Sequence, residues 1–563
     1  MTPPCTNCGN PLQRHVNLSS GQLSALANDL RFEFGPFVVT PQRAQEFRTI
    51  LALGEKDIKD HVSELARLER QRDILSSFLS PIRKLPNETL FRIFQYVCEE
   101  NLLQCYPWPP GRRPPTKMKS PVITYLPSTV ISSVCSRWHA LALSSPSLWA
   151  NLAVETYTTS LDEAENLVGF IDTITRYLER SGDSPLRLAL DIQGSWIPHS
   201  EEVPSLIHLT QHSPRWKTFK YDGHHFLTWY SLLSQLRCPL LVELDIAIMV
   251  EGLNCFKHHP RLTALSTSEP VGKTSKALYN QLHHINFYHH LLTELVDALH
   301  SCASLKTLVL GYIYPDLEEG GLGTWRNITS VSLVNGKSSR IVFSSFDFPS
   351  LNKLVLDGGH EGGPAHGLVS FISRSSCMIT TFTLRGIHLS DLDLVAALRV
   401  MPALLHLEVE NKLQPDYLPK YQSPVTSHLL SSLTHDHSTS ISLIPKLHSL
   451  HLTWRFESSD TSDDSSDDSS DDTSDGAPGN NASDDEFDND FDDTAFVNMV
   501  KSRWFKPGSD LAAEMSALGK SCIRSVVLKF PARRVNADIY EPLRILDAEG
   551  LRVVVAGTNG VQV

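Results

Sequence analysis

The sequence has no run of eighteen or more apolar residues, so no segment is expected to span a membrane as a helix. Its first residues lack the charged-then-apolar pattern of a secretory signal, and none is expected. Cysteine is sparse. The ten in 563 residues are scattered singly apart from one close pair, which argues for a reducing compartment, cytoplasmic, nuclear or both. Catalytic constellations are missing too. There is no G-x-S-x-G, no H-E-x-x-H and no Cys/His nucleophile arrangement, so a non-enzyme is expected. Gly272-Lys273-Thr274 follows a predicted strand, as a phosphate loop should. Thr267 stands where that loop needs its first glycine, however, and Pro270 lies inside it, so the amides cannot curl round a phosphate. The 24 histidines include pairs at His224-His225, His258-His259, His283-His284 and His289-His290. None has two further ligands at metal spacing, so neither metal nor cofactor is expected from them.

Charge of one sign is missing from all but one stretch. Between Glu457 and Asp493 lie sixteen acidic residues and no basic one, and without them the net charge of −13 becomes +3. The remainder therefore has no strong basic field for nucleic acid. The tract from Ser458 to Thr494 is Ser, Asp, Thr, Gly and Asn with almost nothing apolar. It cannot offset its own ordering entropy, so 457–494 is expected to be a disordered acidic insertion. Ser465, Ser469 and Ser483 each have an acid three residues on, the pattern that acidophilic kinases accept.

What the chain does have is organised around Leu85 to Trp149. Leu85-Pro86-Asn87-Glu88-Thr89-Leu90-Phe91-Arg92-Ile93-Phe94 reads as a short helix. Proline suits its first turn, Glu88 complements the helix dipole, and Leu90, Ile93, Phe94 and Val97 recur at helical spacing. Val134, Trp138 and Leu141 repeat the spacing, and Leu148 and Trp149 follow the Pro146 break. Helices this short cannot bury so much apolar surface among themselves, so part of it is expected to await a partner. Between the halves, residues 99–127 are rich in proline and carry Arg112, Arg113, Lys117 and Lys119; they read as an inserted loop.

An L-P-x-E-x-L-x-x-I-F helix followed by V-C-x-x-W and L-W resembles an F-box of the fungal (agaric-type) families. The resemblance implies docking on a Skp-family adaptor and, through it, on the cullin of a ubiquitin ligase. It implies an adaptor face of Leu85, Pro86, Leu90, Ile93 and Phe94, with Val134, Cys135, Trp138 and Trp149 shaping or completing it.

Downstream, a unit L-x-x-L-x-L recurs, often with proline two residues ahead. Pro239 to Ile246, Leu305 to Leu310, Pro349 to Leu356, Pro402 to Val409 and Pro445 to Leu452 are clear copies, with degenerate ones from Trp216, Leu262, Leu282, Ile328, Ile379 and Ile523. Starts at 262, 282, 305, 328, 351, 379 and 404 are 20 to 28 residues apart, the period of a leucine-rich-repeat solenoid. Leu291 to Cys302 and Leu389 to Met401 have helical spacing between such units. Cys522 to Phe530 and Leu551 to Val555 read as strands that resume and cap the array. The expected class is therefore α/β (α+β): N-terminal helices and a helical F-box, then an irregular repeat solenoid. Strand alternation points Glu243, Asp245, Lys353, Arg385, His406, Glu408, Glu410 and His451 to the concave face, where an unknown protein substrate would be read.

The N-terminal part completes the division. Residues 1–54 begin with Cys5-Thr6-Asn7-Cys8-Gly9, half of a zinc knuckle, with His15 the only nearby third ligand. That leaves a metal one ligand short, so none is assigned and zinc stays open. Residues 55–80 form one amphipathic helix with Ile58, Val62, Leu65, Leu68, Leu75 and Leu79 in a 3-4 rhythm, either a short coiled coil or a helix laid on the rest. The F-box-like segment covers 81–154 and the repeat region 155–563. Two functions stay open: a non-catalytic substrate-recognition subunit of a ubiquitin ligase, and an F-box/repeat interaction protein acting outside ubiquitin transfer.

Overall fold

Alternating leucines two apart, following a leucine three residues earlier, are what a strand buried on one side requires, and they dominate the architecture. The computed structural model describes residues 40–106, 108, 113–120, 122–158, 168–194, 204–223, 236–246, 259–268, 276–317, 321–358, 367–387, 389–411, 424–435, 442–454, 491–506 and 508–561. The Cys5/Cys8 pair with His15, the Gly272–Thr274 loop and the acidic tract up to residue 490 lie outside them. The chain divides into two compact units between Ile93 and Phe94.

The first unit contains α1 (Pro41–Leu79), a 3₁₀ turn (Pro81–Lys84) and the opening turns of α2 (Asn87–Val97). Helix α1 has 39 residues and begins well before the expected start at 55. Its pattern already runs through Leu51, and Gly54, the residue expected to separate the segments, sits inside it. Pro81 stops the helix, as a residue without an amide hydrogen must.

The second unit is a sixteen-stranded sheet with helices between its strands. Its first half is β1 (Asn101–Gln104), β2 (Asn151–Thr158), β3 (Leu186–Gly194), β4 (Trp216–Gly223), β5 (Glu243–Ile246), β6 (Ala264–Thr267), β7 (His284–Leu291) and β8 (Thr307–Tyr314). A two-residue strand, β9 (Gly323–Thr324), pairs apart from the main sheet with β11 (Phe346–Asp347). The rest of the main sheet is β10 (Ser330–Leu333), β12 (Lys353–Asp357), β13 (Thr381–Arg385), β14 (His406–Glu410), β15 (Ser449–Thr453), β16 (Ser525–Lys529), β17 (Arg552–Gly557) and β18 (Gly560–Val561). Each strand of the main sheet lies beside the next in chain order, all parallel except the final pair. Register is continuous: Leu354 pairs with Phe382, Phe382 with Leu407, Leu407 with Leu450 and Leu450 with Val526. These side chains are all buried, as are Leu351 and Leu404 ahead of their strands. Each fully covered leucine stabilises the unit by roughly 1.5–3 kcal/mol, which a lone strand could not obtain.

Helices Leu292–His300 and Asp391–Arg399 fall where helical spacing places them and bury Leu295, Leu299, Leu394 and Leu398. Ser390 caps the second by accepting from the Asp393 amide.

Four expectations need correction. The 99–127 insertion is not a plain loop, because its first residues form β1, which pairs with β2 through Asn101–Leu152 and Leu103–Val154. Glu155 then ties Thr116 to the sheet, accepting hydrogen bonds from Gln104 Nε2 at 2.6 Å and from the Thr116 amide and hydroxyl. The boundary after 154 falls inside β2, so this segment and the sheet are continuous. The second helical half is two helices, α3 (Pro127–Val134) and α4 (Ser136–Leu143), broken at Cys135, whose φ of −162° and ψ of 167° are extended. Lastly, the acidic tract is ordered at its end. Phe491 is buried, and Asp493 opens helix Asp493–Arg503 with Arg533 and Tyr540 donating to its carboxylate.

Candidate functional site

Two surfaces gather the residues singled out by sequence. The first is the open face of the sheet. In β14 the alternate residues Leu407 and Val409 are buried, so His406, Glu408 and Glu410 emerge on the other side. Register carries that alternation across the sheet: His406 pairs with Thr381, which pairs with Lys353, and Glu408 pairs with His451. All eight expected substrate-face residues lie on this one side, in two groups. Glu243 and Asp245 stand on β5. Lys353, Arg385, His406, Glu408, Glu410 and His451 stand on β12 to β15, five strands away, or about 24 Å at 4.8 Å per strand.

Four of the distal six, Arg385, Glu408, Glu410 and His451, form a charge network. Arg385 donates to Glu408 at 2.9 Å and lies 4.0 Å from Glu410. The bond to Glu408 raises the Arg385 pKa above its ordinary value. The Thr383 hydroxyl reaches the other Glu408 oxygen at 3.4 Å. His451 lies 3.9 Å from Glu408; burial lowers its pKa, and the Glu408 carboxylate pulls the other way.

The proximal group lines a groove of about 210 Å³ with Glu99, Glu100, Asn151, Arg187, Thr218 and Lys220. Burial raises the Asp245 carboxyl above its usual range, while Lys220 at 4.0 Å pulls the other way. Tyr288 donates to Asp245 at 3.4 Å, and burial pushes the phenol to about 12. Sequence reading missed Arg187 and Lys220. Leu186, Leu188 and Leu190 show the same alternation as the clear repeats, so the signal was present without the leading leucine.

The second surface is the helical segment. On α2 the expected single apolar face splits. Leu90, Phe94 and Cys98 are buried, whereas Ile93 (38%), Val97 (54%) and Tyr96 (76%) remain exposed. Pro86 is exposed at the entry and Leu85 half-buried. Val134 ends α3 with 55% of its surface open, and Cys135 and Trp138 are half-buried. Three expected contact residues therefore sit inside the protein: Leu90, Phe94 and Trp149. Phe94 meets Trp138 edge-on at 4.9 Å. Trp149 donates to the Ala142 carbonyl at 2.9 Å, packs edge-on against Tyr177 at 5.1 Å, and has the Arg180 guanidinium 4.5 Å over its ring.

Sequence gave no hint of what fixes this segment to the sheet. Asn101 in β1 is fully buried and donates to the carbonyls of Leu148 and Asn151 at 3.1 and 3.0 Å. Its oxygen accepts from the Ser128 amide at 3.2 Å. One amide side chain thus ties the sheet's edge to the start of α3 and to the Trp149 turn.

Among the described residues no group of three His, Cys, Asp or Glu is placed to hold a metal ion, and no helix is long and apolar enough to cross a membrane. No family model matches the chain, and no curated protein matches its sequence.

Proposed function

We propose that this chain is a non-catalytic substrate-recognition subunit of a Skp–cullin–F-box ubiquitin ligase. The observation that carries the reading is the apolar surface left open on the helical segment: Ile93, Tyr96 and Val97 on α2, and Val130 and Val134 on α3. Uncovered aliphatic and aromatic side chains on short helices favour a partner that removes them from water. Ile93 and Val134 lie within the L-P-x-E-x-L-x-x-I-F and V-C-x-x-W stretches that resemble an F-box, and Tyr96, Val97 and Val130 flank them.

The strand ladder, with its 20- to 28-residue period, supports reading the remainder as an irregular leucine-rich-repeat solenoid. Its open face, charged at both ends, would take a protein substrate. Catalysis would then be proximity, with partners supplying the chemistry and this chain the positioning.

The test is affinity purification from cell extract of the wild type beside Ile93→Asp and Val134→Asp. Both sites are exposed, so the substitutions leave the core intact. The wild type is expected to bring down a Skp-family adaptor and cullin, and the variants to lose both. Adaptor without cullin would favour an interaction protein outside ubiquitin transfer. Equal adaptor recovery by all three proteins would refute the docking surface.

A further inference from the structure

The longest helix of the described residues presents an exposed apolar stripe far longer than any other described helix. In α1, Leu51, Ile58, Leu65, Arg72 and Leu79 are seven apart; Phe47, Gly54, His61, Leu68 and Leu75 form a second seven-residue row, four ahead of the first. Two such rows make the seam of a coiled coil. The six aliphatic members are between 49% and 80% exposed, and Val62 and Phe78 extend the stripe on its flanks. At 1.5 Å per residue, the 39-residue helix is about 58 Å long. The next longest helix among the described residues has 13. A seam of this length and period fits another helix of the same length and period.

We propose that α1 is a dimerisation helix and that its partner is α1 of a second copy, running antiparallel. The area suffices. Covering one aliphatic side chain removes on the order of 100 Å² from water, so these eight positions on two copies cover roughly 1,600 Å², the size of a stable interface. The orientation follows from two seam positions that are not large and apolar, Gly54 and Arg72. Parallel pairing in register sets each Arg72 seam position against its own copy, which is repulsive, whereas antiparallel pairing separates the two. Antiparallel pairing about residue 63 sets Leu51 against Leu75, Ile58 against Leu68 and Leu79 against Phe47. It also sets Arg72 against Gly54, which carries no side chain to crowd the guanidinium. The two-fold axis closes the assembly at two copies.

Sedimentation velocity on the full chain over a concentration series tests this. The wild type is expected to sediment as a dimer at tens of micromolar. Leu65→Asp/Leu68→Asp should weaken association roughly tenfold or more, about 1.4 kcal/mol or above. Ser63→Asp, on the opposite face of the same helix, should leave it unchanged. Gly54→Glu places a carboxylate opposite Arg72 of the partner helix and should tighten the dimer, with the gain shrinking at high salt. A monomeric wild type would overturn the proposal, even one that pairs with a helix of another protein. So would a Leu65→Asp/Leu68→Asp variant that still dimerises. A Gly54→Glu variant that dimerises more weakly would overturn the antiparallel pairing.

Discussion

Replacing Asn101 by leucine separates the sheet's edge from the helical segment without creating a large cavity. Leucine has the same branching and number of side-chain heavy atoms, with bulkier methyl groups and no polar atoms. The Ser128 amide then loses its acceptor, and the Leu148 and Asn151 carbonyls each lose a donor. The Ser128 hydroxyl still reaches Leu148 O at 2.6 Å, so that carbonyl keeps a partner. A buried orphaned amide costs about 1–3 kcal/mol and each lost hydrogen bond about 0.5–1.5, which sets Asn101→Leu near 3 kcal/mol. The loss is local. Hydrogen exchange should accelerate in β1, in α3 and across residues 148–154, and denaturant unfolding should report the same few kcal/mol. Adaptor capture should weaken too, because α3 carries Val134. A variant that exchanges and unfolds like the wild type would refute the role given to Asn101.

Three further outcomes follow. Burial lowers the His290 imidazole to about 4, and the unfolded value is near 6.5. The unfolded chain therefore takes up a proton that the folded one refuses. Stability should be full above pH 6.5 and fall by on the order of 3 kcal/mol as pH drops toward 4; denaturation curves for His290→Leu should lack this component. Leu354→Ala, in the buried column of β12, should cost about 2–5 kcal/mol by chemical denaturation. A double-mutant cycle on Arg385 and Glu408 should give a coupling of only about 0.5–1 kcal/mol that weakens with salt, because both side chains are partly exposed.

The sheet was legible where the repeat carries its leading leucine. From Trp216 onward the expected starts coincide with strands, because Leu351, Leu354 and Leu356 or Leu404, Leu407 and Val409 encode burial by spacing alone. The eight face residues share a side for the same reason. What was not legible depends on contacts distant in sequence. The four residues Asn-Leu-Leu-Gln are too short to announce β1, and their place is set by β2, fifty residues on. On α2, spacing marks Leu90, Ile93, Phe94 and Val97 as apolar. Only packing separates the buried Leu90 and Phe94 from the exposed Ile93 and Val97. Phe491 and Asp493 looked like the end of an acidic tract, yet some forty residues later Arg533 and Tyr540 bond Asp493 and Phe530 packs edge-on against Phe491.

The central claim is that open apolar side chains on α2 and α3 seat a Skp-family adaptor, and calorimetric titration of the two purified proteins tests it most directly. Saturable one-to-one binding by the wild type, lost in Val134→Asp while thermal stability is unchanged, is the expected result. No heat of binding from a folded wild-type chain, or equal affinity in the variant, would contradict it.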